Sequence, residues 1–99
     1  MNNQEHAYQV ITQAVEILMP GNEITHTPEH ASYNTHGHVD GFSVYITTHY
    51  KDDKRAGNLD IDIYDTKFTR VASVNACGYI AVMLAKQAME IASSVKVVA

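Results

Sequence analysis

Six histidines, one cysteine and a set of alternating aspartates are the side chains in this sequence whose types and spacing allow chemistry. Four of the histidines, His26, His30, His36 and His38, fall within thirteen positions. Imidazole ligates zinc or nickel, and the spacing of His36 and His38 puts both rings on one face of a strand. Completed by His26 or His30, they are the secondary candidates for a metal site. Cys77 is the sole thiol, so an intrachain disulfide and a thiolate-rich zinc site are both excluded. A helix dipole near Cys77 would activate it as a nucleophile. Its place on an apolar stripe with Ile80, Ala81 and Leu84 favours a core role instead. No glycine-rich phosphate loop is present, because the five glycines are scattered.

The aspartates carry the clearest pattern. Leu59, Ile61 and Ile63 alternate with Asp60, Asp62 and Tyr64, and a pleated strand sends these two sets to opposite faces. One face is therefore aliphatic and buried, the other wet and negative. Tyr45 belongs to the wet face by the same parity, and Asp52 and Asp53 sit in the loop before the acidic strand. Asp60, Asp62, Tyr64, Tyr45, Asp52 and Asp53 are thus the candidate partner-binding residues, with the tyrosines as amphipathic anchors. The net charge of -4 disfavours a phosphate backbone and favours a basic protein surface as partner.

The elements that must position these residues follow from periodicity. Ala7, Ile11, Ala14, Val15 and Leu18 predict a helix from Gln4 to Met19, capped by Asn3 and stopped by Met19-Pro20-Gly21. A broken first strand is expected around Ala31 to Thr35, with Gly37 and Gly41 bracketing a turn. Phe42, Val44 and Ile46 alternate with Ser43, Tyr45 and Thr47 as a second strand, and the acidic strand is the third. The last helix is expected from about Ser73 to Ser94, with Ser73 as its cap. Cys77, Ile80, Ala81, Leu84, Ala88 and Ile91 form its apolar stripe, and Lys86, Gln87 and Glu90 lie opposite. Val95 to Val98 reads as a short edge strand. The fold class is α+β: a small antiparallel sheet of about three strands with an N-terminal and a C-terminal helix packed on one face.

Ninety-nine residues, 45% of them hydrophobic and 18% charged, fit a single folded domain over 1–99. No stretch approaches the roughly 18 apolar residues that span a bilayer, and the start lacks a signal-peptide pattern. A cytoplasmic location without a membrane partner is expected. Tyr79, Val82 and Met83 widen the apolar surface of the last helix beyond one stripe, which predicts a homodimer through that helix.

Four partial resemblances bear on function. His26-Thr27-Pro28-Glu29-His30 resembles the H-x-x-E-H motif of zinc peptidases, which needs both histidines on one helical face; Pro28 falls between them. His36, His38 and Asp40 resemble the opening of the metallo-β-lactamase segment, with Gly41 where that family has another histidine. The element order is similar to that of the double-stranded-RNA-binding domain, but Ser73-Val74-Asn75-Ala76-Cys77 stands where that domain carries lysines. In general character the chain is similar to the small acidic phage-encoded inhibitors of host defence, including anti-CRISPR proteins. That last resemblance implies a non-enzymatic inhibitor without a cofactor, blocking a basic and nucleic-acid-binding surface of its target. A ligand- or metal-binding homodimer using the histidine-rich segment and an RNA-binding domain are the alternatives.

Overall fold

Asn2 starts the first helix: its side chain accepts the Glu5 N–H at 2.8 Å, satisfying one of the open donors of the first turn. In the computed structural model, which describes residues 2–98, this helix, α1, spans Asn3–Leu18. The cap is therefore one residue earlier than Asn3. Met19 N–H returns to the Val15 carbonyl at 2.7 Å, and Pro20 and Gly21 turn the chain away.

The sheet has five strands rather than about three. They are β1 (Thr25–Thr27), β2 (Ser32–Val39), β3 (Phe42–His49), β4 (Asn58–Tyr64) and β5 (Arg70–Cys77), all antiparallel and adjacent in chain order. Thr25, His26 and Thr27 pair with Asn34, Tyr33 and Ser32, adding an edge strand where polar composition masks any periodicity. The expected strand at Ala31 to Thr35 is only the first half of β2, which continues through the histidines. Asp40 and Gly41, at φ 49° and 88°, form the two-residue turn of the β2–β3 hairpin, a geometry that Asp-Gly adopts readily. Gly37 is no turn residue. It lies buried within β2, where an added Cβ would come within 2.7 Å of the Met19 sulfur and overlap the Asn22 side chain.

The larger correction is at Ser73. Residues 73–77 pair with β4, with Asp62 opposite Ser73, Ile61 opposite Val74 and Asp60 opposite Asn75. Val74, Cys77, Ile80 and Ala81 also satisfy helical spacing, so the run carries both periods, and the ladder with β4 decides between them. The second helix, α2, begins only at Gly78 and runs Gly78–Val98. Val95 to Val98 is therefore helical, not an edge strand. Because α2 follows β5 without a loop, the strand end fixes which face turns inward. Ala81, Val82, Ala85 and Met89 are buried, while Ile80, Leu84 and Ile91 of the expected stripe are exposed. Small side chains at Ala81 and Ala85 let the helix sit close to the sheet.

Leu59, Ile61 and Ile63 are fully buried, together with Val44 and Ile46 from β3 and Ile11 from α1. Each contributes about 1.5–3 kcal/mol by leaving water. Helix α1 lies over β2 to β4 and α2 over β4 and β5, so both cover one face of the sheet. The alternation expected at residues 59–64 is thereby realised. Among the described residues no helix is long and apolar enough to cross a membrane.

Candidate functional site on the open sheet face

The face of the sheet turned away from the helices is assembled by cross-strand register. His36 of β2 stands opposite Tyr45 of β3, which stands opposite Asp62 of β4, which stands opposite Ser73 of β5. The next row holds Asn34, Thr47, Asp60 and Asn75, and Ser43 pairs with Tyr64 on the other side. Asp60, Asp62, Tyr64 and Tyr45 thus share one surface, as their parity requires.

An aromatic ribbon crosses that surface. The His36 ring stacks on Tyr45 at 4.2 Å and 9°, and Tyr45 meets the edge of Tyr64 at 5.6 Å and 89°. Phe68, from the turn between β4 and β5, extends the ribbon with its ring 6.1 Å from Tyr64. The Tyr45–Tyr64 and Tyr64–Phe68 separations lie in the favourable range for ring pairs. Tyr45, Asp62, Tyr64 and Phe68 line a shallow concavity of about 390 Å³.

Phe68 is 68% exposed and has a φ of 60°, a left-handed conformation that is costly for a bulky residue. The Asp65 carboxylate holds it there by accepting the N–H groups of Lys67 at 2.9 Å and Thr69 at 3.0 Å. Phe68 N–H in turn donates to the Asp65 carbonyl at 3.0 Å. Phe68 is thus an exposed aromatic held in a left-handed conformation by a carboxylate-centred turn.

The aspartates differ in their surroundings. Asp60 is 3.8 Å from the Arg55 guanidinium and also accepts from the Asn75 amide. Among the described residues Asp62 has no ion pair. Asp52 and Asp53 do not join the site. Asp52 accepts the Lys54 N–H at 3.0 Å within its own turn, and Asp53 accepts from Asn3 at the start of α1, on the helical side.

The histidines divide between the two faces. His36 and His38 share the open face, with ring centroids 5.6 Å apart. His26 pairs with Tyr33 toward the helices, stacks on it at 4.5 Å and approaches the Tyr50 hydroxyl at 2.8 Å. The sheet itself therefore separates His26 from His36 and His38. His30 closes a single 3-10 turn at Pro28–His30, so the H-x-x-E-H run is strand and turn, without the helix that a peptidase needs. Among the described residues no group of three or more His, Cys, Asp or Glu side chains is placed to hold a metal ion. Cys77 is exposed at the end of β5, off both the expected core stripe and the helix.

Sequence reasoning missed Phe68, His36 as a stacking partner, and Asn75. Phe68 lies in Asp65-Thr66-Lys67-Phe68-Thr69, which has no periodicity; its only signal is an aspartate able to organise a turn. The chain matches no protein-family model, no curated protein and no solved structure.

Proposed function

We propose that the open sheet face is a docking surface for a basic protein partner, with Asp62 as its electrostatic centre. The observation that carries this reading is Asp62 itself. Among the described residues its carboxylate makes no ion pair within 4.0 Å, and it lies in a concavity lined by Tyr45, Tyr64 and Phe68. Such a setting suits an arginine or lysine side chain, which gains a charge-assisted hydrogen bond from the carboxylate and attraction to the ring faces. The net charge of -4 adds long-range steering toward a positive surface.

A face of this kind is blocking rather than catalytic. Its carboxylate and rings offer a cation a seat, and on this reading the protein acts by occupying a basic surface. A target whose surface normally holds nucleic acid would be inhibited by competition, in the manner of the acidic phage-encoded inhibitors of host defence. Titration with an arginine-rich peptide, followed by amide and aromatic NMR shifts, tests the reading. Salt-sensitive shifts centred on Tyr45, Asp62, Tyr64 and Phe68, lost in Asp62→Asn, are expected; shifts elsewhere, or none, would refute it.

A further inference from the structure

The helix α2 carries a second feature that the docking face does not use. Tyr79, Ile80, Met83, Leu84, Ile91 and Val95 are 42–69% exposed. Of these, Ile80, Leu84, Ile91 and Val95 share one side of the helix and present on the order of 400 Å², about half of the ~800 Å² per partner of a standard interface, to which the β5 edge adds its own surface. Ile80, Leu84, Ile91 and Val95 follow helical spacing on the side of α2 that overhangs β5. There, Val71, Ala88, Ile91, Ala92 and Val95 line a groove of about 530 Å³ with Asp65 at its rim.

The strand beneath that groove is itself open. β5 is the last strand of the sheet; after a bulge at Val71 its regular stretch, Ala72 to Cys77, has no proline, lysine or other charge. An uncharged, regular edge stretch of this kind pairs readily with another strand. The opposite edge is guarded: β1 has three residues and runs into Pro28.

We infer that a second copy of this chain covers both features at once, through a two-fold axis perpendicular to the sheet beside β5. That operation pairs β5 with β5 antiparallel and lays α2 against α2 antiparallel on the same side. Isologous contact requires the exposed stripe to be its own complement, and it is. Reversing the direction of α2 about the midpoint between Gln87 and Ala88 places Ile80 of one copy beside Val95 of the other, and Leu84 beside Ile91. No charged residue lies at positions 80, 84, 87, 88, 91 or 95.

One axis also satisfies both elements by length. The middle of β5 lies ~12 Å from the strand's end, at about 3.3 Å per residue. The stripe's midpoint lies ~14 Å along α2 from its start, at about 1.5 Å per residue. Because α2 starts where β5 stops, the two midpoints stand nearly above one another. The result is a continuous ten-stranded sheet whose open face carries Asp62 twice.

Sedimentation velocity at about 100 µM tests this. The expected result is a particle of twice the chain mass, with Leu84→Glu and Ile91→Glu each reverting to one chain mass while the far-UV circular dichroism is retained. Hydrogen exchange of the β5 amides that do not bond β4 should be slow in the parent and fast in Leu84→Glu. In a Cys77→Ser background, Gln87→Cys should link to itself on oxidation. A single-chain mass in the parent, or a dimer that survives both glutamates, would overturn the inference. Asp62→Asn should remain dimeric, so this outcome is independent of the docking proposal.

Discussion

Asp60 and Asp62 leave β4 from the same face, yet among the described residues only Asp60 forms an ion pair, with Arg55 at 3.8 Å, and it also accepts from the Asn75 amide. The two carboxylates should therefore respond differently to neutralisation. Asp62→Asn removes a charge that supports no internal contact among the described residues, so melting temperature should hold or rise slightly as repulsion from Asp60 is relieved. Binding of an arginine-rich peptide should fall about 10- to 100-fold, the loss of one charge-assisted hydrogen bond of about 1.5–3 kcal/mol. Asp60→Asn should weaken binding less and cost at most about 1 kcal/mol of stability, because the Arg55 pair is largely exposed. Parallel calorimetry and thermal melts check both. Equal losses of affinity in the two variants would remove Asp62 from the centre of the site.

Phe68 offers a test that separates stability from function. A left-handed backbone costs a non-glycine residue about 1–2 kcal/mol, whereas glycine carries an entropic penalty of about 0.5–1 kcal/mol. Phe68→Gly is thus expected to fold with unchanged or slightly raised stability while losing the ring that completes the concavity. Phe68→Ala keeps the strain and loses the same ring. Both should bind the arginine-rich peptide poorly, and urea titrations should rank the glycine variant above the alanine variant.

How far this site was legible depended on which signal each residue carried. The alternation at 59–64 has a single period, and Leu59, Ile61 and Ile63 are buried as that period requires. It brought Asp60, Asp62, Tyr64 and Tyr45 together without any motif. Residues 73–81 satisfy two periods, and only the pairing of Ser73, Val74 and Asn75 with β4 resolves them, which sequence spacing does not contain. Asp52 and Asp53 are close to the acidic strand only along the chain. Their hydrogen bonds to the loop and to Asn3 turn them away from the open face. His26 was grouped with His36 and His38 by density in sequence, and the parity of β1 sends it to the other side.

Thr48 is a polar residue at an inner-face position of β3, fully buried, and its hydroxyl donates to the Asn58 carbonyl at 3.0 Å. The bond ties the end of β3 to the start of β4 across the charged loop. Thr48→Val preserves shape and leaves that carbonyl acceptor without the hydroxyl, so a loss of about 1–3 kcal/mol is expected. Thr48→Ser keeps the bond and loses one methyl group, which should cost about 1 kcal/mol. Urea denaturation that ranks valine above serine would show that the hydroxyl is not what holds this junction.

The aromatic ribbon depends on register, and register begins at the β2–β3 turn. Asp40 and Gly41 both have positive φ, and the pairings Val39 with Phe42 through His36 with Tyr45 follow from that two-residue loop. A one-residue slip would send Tyr45 to the helical side and Val44 to water. Gly41→Ala places a Cβ in the left-handed region at φ 88°, where no neighbour lies within 4 Å, so the penalty is conformational rather than steric crowding. A cost of about 1–2 kcal/mol is expected. Asp40→Asn keeps a residue suited to positive φ and should leave stability within about 0.5 kcal/mol. If the hairpin sets the site, Gly41→Ala should also perturb the His36 and Tyr45 ring resonances. Unchanged resonances alongside the lost stability would place the control of register in β4 instead.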